Sequence, residues 1–388
     1  MKGIITFLKS DFLRASAVFS GGSLDVGIFG VPFVFAQSGF LLTFVLFIIL
    51  AIMVAIIHIM LAEIGERTPG KHRLIGYARI YLGDRGKALL TVTVLCGTVG
   101  ALVVYVLVAG TFLQVLFQSF GVQVHHMVLM GLFWMVMSLG VLAGLRTISR
   151  IEIVLVIGFF LAIVLFFIQG VPHIDYANFT TFDPGKLFFA WGVLLFAFFH
   201  LPSVSESRVI IQNRGRLLRQ VILTGTVLSA VLMLFFAFIV VGVTGANTSQ
   251  EAIPGMVGTF GEGAVIVGAI MGLIAISASF LVLACNLRDT VMYDWNIPKA
   301  TSTILAIITP VPFFVLSVVD SIVLLGLAGI VLSAINGCCV ILIHTRAQKK
   351  YPKGSDFPLK LPRFVYGFLV TIFLIGSIYS IIELAILQ

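Results

Sequence analysis

Eleven apolar stretches, each about 20 residues long, follow one another along this chain, and that succession leaves few folds open. They run over roughly 15–36, 40–63, 87–118, 126–145, 149–171, 187–211, 220–244, 263–287, 299–318, 321–345 and 364–387. Backbone groups in hydrocarbon must bond within their own segment, so stretches of this length read as membrane-spanning helices. Only 10% of the 388 residues are charged, against about 25% in a soluble domain. Mean hydropathy is +1.16. The expected fold class is all-α integral membrane, a single polytopic domain over 1–388.

Charge tests the span count. With the N-terminus inside, Lys2, Lys9 and Arg14 are cytoplasmic. So are Arg67, Lys71, Arg73, Arg79, Arg85 and Lys87 after span 2, and Arg146 and Arg150 after span 4. Arg208, Arg214, Arg216 and Arg219 follow span 6, and Arg288 and Lys299 follow span 8. Arg346, Lys349, Lys350, Lys353, Lys360 and Arg363 follow span 10. Of the 24 Lys+Arg, only Lys186 is left outside. A wrong count would scramble this alternation. The net charge of +8 is therefore a topology signal, and no nucleic-acid partner is expected. Met1–Arg14 is too short and too charged for a secretory leader, so the N-terminus is expected in the cytoplasm and the C-terminus outside, in a plasma or inner membrane. Cys96, Cys285, Cys338 and Cys339 all fall in spans and read as small buried apolar groups.

Span 1 is written against its own stability. Ser20–Phe40 holds Gly21, Gly22, Gly27, Gly30, Gly39, Pro32 and a carboxylate, Asp25. Glycine costs about 1 kcal/mol in a helix interior and proline about 3. A carboxylate near the bilayer centre costs roughly 2.5–3.5 kcal/mol on insertion scales. Such a helix suits a break that offers backbone N–H and C=O groups to a ligand. Span 6 is interrupted as well, by Pro202 next to His200. Two halves of opposite orientation, about 15–171 and 187–345, would each open on a broken helix, with an extra helix at about 364–387. That is the inverted-repeat layout of secondary transporters. The outer loops are acidic or neutral, and Gly245–Gly263 reads either as a lid over an outer vestibule or as a plain surface loop.

At these residues the chain resembles the amino acid/polyamine/organocation superfamily, most closely its aromatic and neutral amino acid (amino acid/auxin) permease branch. Span 1 there reads approximately G-x-x-x-G-x-G-I-F-G-[LI]-P-[YF], here Gly21-Gly22-Ser23-Leu24-Asp25-Val26-Gly27-Ile28-Phe29-Gly30-Val31-Pro32-Phe33. E-x-x-x-R-T appears as Glu63, Arg67 and Thr68, followed by Gly76-Tyr77-Ala78 and Tyr81-Leu82-Gly83. Span 3 is similar through Gly100, Ala101, Tyr105, Phe112 and Leu113. Span 6 is similar through Leu195-Phe196-Ala197 and Glu206, and span 8 through Asn286-Leu287-Arg288-Asp289. Three positions depart from the pattern: Asp25 and His200 replace glycines, and Ser205 replaces a proline.

The resemblance implies a LeuT-like 5+5 inverted repeat with discontinuous helices 1 and 6 plus an eleventh helix, importing amino acids with an ion. Gly27, Ile28, Phe29 and Gly30 would then carry the unwound segment and hold a substrate carboxylate at a half-helix N-terminus; the plainer reading is close helix packing. Asp25 has three candidate roles: counter-ion to a substrate amine, as in monoamine carriers of this fold; proton carrier; or a wall of a sodium site. His200 would face it and could pair with it. Tyr105 resembles a tyrosine that helps gate and bind substrate. Ala197 and Phe198 would line the pocket, although with 35 phenylalanines in the chain simple packing competes for any one of them. Ser277 and Ser279, with carbonyls of Gly21 and Leu24, resemble a sodium site. Glu63, Glu206 and Asp289 would pair with Arg67, Arg208 or Arg288 as an inner gate or a structural network.

The expected activity is secondary active import of an aromatic or neutral amino acid by alternating access, with no cofactor beyond a coupling Na+ or H+. The absence of a lysine in span 5 leans to sodium, while Asp25 and His200 lean to protons. The expected partners are the small-molecule substrate and the lipid bilayer, with no obligate protein partner. An amine carrier and a ligand-sensing receptor on the same scaffold are the alternatives. Neither H-E-x-x-H nor an intramembrane G-x-S-x-G is present to suggest an enzyme.

Overall fold

The computed structural model describes residues 11–70, 72–143, 148–212, 214–256, 260–295, 297–316 and 321–386. Lys2, Lys9, Lys71 and Arg146 of the charge argument lie outside these. The helices are α1 (Asp11–Ser23), α2 (Gly27–Ser38), α3 (Phe40–Arg67), α4 (Leu74–Ser119), α5 (His126–Ala143), α6 (Ile148–Gly170) and α7 (Leu187–Phe198). They continue with α8 (Leu201–Ile210), α9 (Gly215–Thr244), α10 (Glu262–Trp295), α11 (Lys299–Ile308), α12 (Val311–Leu316), α13 (Ser321–Lys350) and α14 (Arg363–Ile386).

Among the described residues, seven helical stretches are long and apolar enough to cross a membrane, or eight when the bent pair α1–α2 counts as one span. This is fewer than the eleven expected. The difference falls on three shorter apolar stretches, Phe160–His173, Lys299–Val315 and Arg363–Tyr379, which stand at the places of spans 5, 9 and 11. Exposed apolar side chains run in helical stripes. Leu41, Val45, Ile48 and Ile52 follow one face of α3, and Leu223, Val227, Val231 and Phe235 one face of α9. Stripes this long would be an aggregation hazard in water and are the natural outer surface of a multi-pass membrane protein.

Two boundaries differ from expectation for physical reasons. The run of Arg67, Arg73, Arg79 and Arg85 after span 2 suggests a charged loop, yet α4 begins at Leu74. Its first turns bury Ile75, Tyr77, Ala78 and Tyr81 while Arg79 faces water, so this is a short amphipathic run. Gly83, at φ +75, kinks it into the long apolar part. Span 9 is divided at Thr309-Pro310 into α11 and α12, because proline cannot continue the hydrogen-bond ladder. Gly39, at φ +99, turns α2 into α3; a Cβ there would run into the backbone of Thr181 and Phe182. Of the cysteines only Cys339 is buried, whereas Cys96 is exposed on the apolar surface.

The half-helices lie at the centre. α2 packs on α7, α1 on α8, α9 and α6, and α13 runs between α4 and α7. Small residues allow the last contact. A Cβ built on Gly192 of α7 would lie 2.6 Å from the carbonyl oxygen of Gly326 of α13. One built on Gly329 would strike the backbone of Gly192 and come within 2.9 Å of the Phe196 nitrogen. One built on Gly326 meets nothing nearer than Val193 Cγ2 at 3.9 Å. Two backbones cannot yield as side chains do. Gly329→Ala should therefore destabilise by about 1–3 kcal/mol as an overpacking change. Gly326→Ala should be nearly silent. Thermal unfolding of the two variants in detergent checks the contrast, and equal midpoints would refute the close approach.

Candidate functional site

The break in span 1 falls at Leu24-Asp25-Val26, and the axes of α1 and α2 differ by 54°. This is one turn earlier than expected. Gly27–Gly30 are not unwound but form the first turn of α2. Their amides are engaged: Gly27 N–H donates to Asp25 Oδ1 at 2.8 Å, Ile28 N–H to the Asp25 carbonyl at 3.3 Å, and Phe29 N–H to the Val26 carbonyl at 3.2 Å. The positive end of the half-helix thus holds a carboxylate belonging to the chain itself. Oδ2 of the same side chain accepts from the Tyr105 hydroxyl of α4 at 2.5 Å, and Ser279 of α10 reaches that hydroxyl as well. A carboxylate 7% exposed in an apolar interior is tolerated because both its oxygens are hydrogen-bonded.

The second break is Phe199-His200, between α7 and α8. Pro202 does not interrupt a helix. It lies in the first turn of α8, where its missing N–H costs nothing. Ser23 Oγ, at the end of α1, lies 2.8 Å from His200 Nε2 and 3.0 Å from Nδ1. The two breaks meet directly, since a Cβ on Gly27 would sit 2.8 Å from Ala197 Cα and 3.2 Å from Asp25 Oδ1. Here glycine is required by close approach.

The structure therefore brings Asp25, Gly27, Tyr105, Ala197 and Ser279 together. The hydrogen bonds of Asp25 and His200 go to different partners, Tyr105 with Gly27 and Ser23, and not to each other. Phe198 turns away and packs on Phe47 of α3, ring centroids 4.8 Å apart, as core. Ile28 is buried, and Phe29 meets Phe112 edge-on at 4.8 Å. Ser277 donates to Leu273 of its own helix at 2.6 Å. The Gly21 carbonyl accepts from Leu24 N–H at 3.2 Å, and α1 has α6, α8 and α9 as its main neighbours. Of the expected sodium set, Ser277 and the Gly21 carbonyl are thus bonded locally, while Asp25 and Ser279 both meet the Tyr105 hydroxyl of α4.

Beside Phe29 and Gly30 is a cavity of about 10 Å³, also lined by Val26, Gln250 and Glu251. It has room for about one water and not for an amino acid, so the site is closed. The lid reading of the loop after α9 gains support here, because Ala252, Ile253 and Met256 are fully buried. The Glu251 carboxylate also accepts from the Ser321 hydroxyl of α13.

At the other end of α3, Glu63 is wholly buried. It accepts from Arg67 at 2.7 Å, lies 2.8 Å from His344 Nε2 and takes the Leu359 N–H at 2.8 Å. Asp289 pairs with Arg288 at 2.7 Å and Arg73 at 3.7 Å, and the charge of Arg73 also acts on Glu206. Arg208 reaches the Tyr77 hydroxyl at 3.4 Å.

Sequence reasoning missed Ser23, His344 and His58 as partners in these clusters. His58 of α3 sits 4.8 Å from His200, ring to ring, and an ionisable residue inside an apolar span was the signal that could have found it.

A search of the curated proteins finds no significant match. The profile of the tryptophan/tyrosine permease family matches residues 9–382. A match over nearly the whole length, on an all-helical chain built to cross a membrane many times, means that this protein belongs to the tryptophan/tyrosine permease family and is an amino acid permease.

Proposed function

We propose that the protein is a secondary active transporter that imports aromatic amino acids by ion-coupled alternating access. In this reading its two five-helix halves form a LeuT-like inverted repeat and an eleventh helix follows. The observation that carries the reading is the meeting of the two helix breaks at Gly27 and Ala197, with a buried carboxylate beside the contact. A substrate placed between the breaks would part them. Its ammonium group would meet Asp25, and its carboxylate would take over the amides at the start of α2. The Glu251 loop would close the outer side. The Arg73–Asp289–Glu206 group and the contact of α1 with α8 would close the inner side. The N-terminus lies in the cytoplasm and the coupling ion is Na+ or H+.

The test is uptake of labelled tryptophan, tyrosine, neutral amino acids and biogenic amines into proteoliposomes under an imposed sodium or proton gradient. Gradient-driven uptake of an aromatic amino acid is the expected result. Uptake of amines alone would turn the reading to an amine carrier. Binding with no flux under any gradient would replace it with a receptor.

A further inference from the structure

Among the described residues, His58 is the buried ionisable group with both polar atoms unpartnered. It is 1% exposed, and neither ring nitrogen has a hydrogen-bond partner among the described residues. Leaving a buried donor or acceptor unmade is costly, and a phenylalanine would fill the same space without that cost. Its surroundings are specific. Phe19 of α1 meets it edge-on at 5.3 Å, Phe199 lies at 6.2 Å, and His200 faces it at 4.8 Å with the rings inclined at 56°. His200 is the titratable group whose charge acts on it. The other ionisable groups nearby are committed elsewhere: Asp25 to Tyr105 and Gly27, Glu63 to Arg67 and His344.

Two neutral imidazoles could share an ordinary N–H···N bond, yet here His58 makes none and His200 is bonded to Ser23; one added proton turns the bond between the rings into a stronger, charge-assisted one. We propose that His58 binds the coupling proton of the transport cycle and shares it with His200. This rests on the transporter reading above. One water-borne proton adds to a ring nitrogen of either histidine, and that N–H then donates to the facing neutral ring. Turning the rings edge to edge brings the nitrogens within hydrogen-bond reach. The pair carries one positive charge while loaded and none after the proton returns to water. In the structure His200 is hydrogen-bonded to Ser23 instead, which is the arrangement the unloaded pair would take.

Position makes the pair a coupling device. His58 stands between α1, through Phe19, and the start of α8, through His200. These are the half-helices that must separate for the inner side to open. Protonation draws His200 from Ser23 of α1 to His58 of α3 and so loosens the α1–α8 contact.

The probe is labelled tryptophan in proteoliposomes, in two modes: accumulation driven by an imposed pH gradient, and exchange against internal unlabelled tryptophan with no gradient. His58→Gln keeps a polar side chain without titration, and His58→Phe keeps the packing. Both variants should lose accumulation by at least about tenfold, while exchange stays within about twofold and its pH dependence flattens. Retained pH-driven accumulation in both variants would overturn the proposal, and so would equal loss of exchange in both. Wild-type accumulation driven by sodium with no response to pH would overturn it while leaving the transporter intact. A wild type that shows neither mode fails the transporter reading first.

Discussion

In the proposed transporter, Asp25→Asn should sharply lower gradient-driven tryptophan uptake and leave the protein folded. Asp25 has two jobs in the closed structure: it caps the first amide of α2 through Gly27 and anchors Tyr105 of α4. Asparagine is as good a helix cap as aspartate. Its amide oxygen can keep the Gly27 bond, and the Tyr105 hydroxyl can rotate to accept from the amide nitrogen. The structural cost of the change is therefore about 1 kcal/mol or less. What asparagine cannot supply is charge, either to meet a substrate ammonium or to exchange a proton. A charge-assisted hydrogen bond contributes about 1.5–3 kcal/mol, so uptake should fall on the order of 10- to 100-fold. Tyr105→Phe should fall by less, because the carboxylate stays. Initial uptake rates, read beside the thermal midpoint of each variant, decide the matter. Wild-type uptake in Asp25→Asn would mean that the carboxylate is only a cap.

The large features of this fold are legible in the chain because the bilayer imposes a coarse rule. About 20 apolar residues make a span, and Asp25 and Gly27 mark where one is broken, whereas Pro32 lies inside α2. Finer placement is not legible, because one residue type serves several ends. Glycine at position 27 suits an unwound segment and also the close approach of Ala197; the structure shows the second, and the break moves one turn earlier. The arginines at 73, 79 and 85 suggested a loop, yet the four buried residues between them make a helical face. Pairings across spans escaped altogether. Asp25 and His200 both lie at the breaks, but whether they bond to each other depends on side-chain directions that no spacing specifies. His58 was overlooked because it belongs to no motif, and its meaning appears only when α1 and α8 close around it.

Glu63→Ala is the change expected to damage the fold most. The Glu63 carboxylate joins three parts of the chain: Arg67 on its own helix, His344 on α13, and the Leu359 amide in the segment leading to α14. Arg67 in turn donates to the Tyr351 and Pro352 carbonyls of that segment. Removing the acid leaves the Arg67 guanidinium buried without its counter-charge and the Leu359 N–H without an acceptor. Breaking a buried pair on one side costs about 3–5 kcal/mol, and most of that is the stranded charge rather than the lost attraction. The same logic separates the two contributions. In the double variant Glu63→Met with Arg67→Met neither charge remains, so it should be no less stable than Glu63→Ala alone, although it has lost more polar contacts. Thermal unfolding in detergent would show the single change lowering the midpoint by as much as or more than the double. A double variant clearly worse than the single would mean that the cluster stabilises by attraction, and that these ends of α3 and α13 are held by the ion pair itself and not merely kept from carrying an unpaired charge.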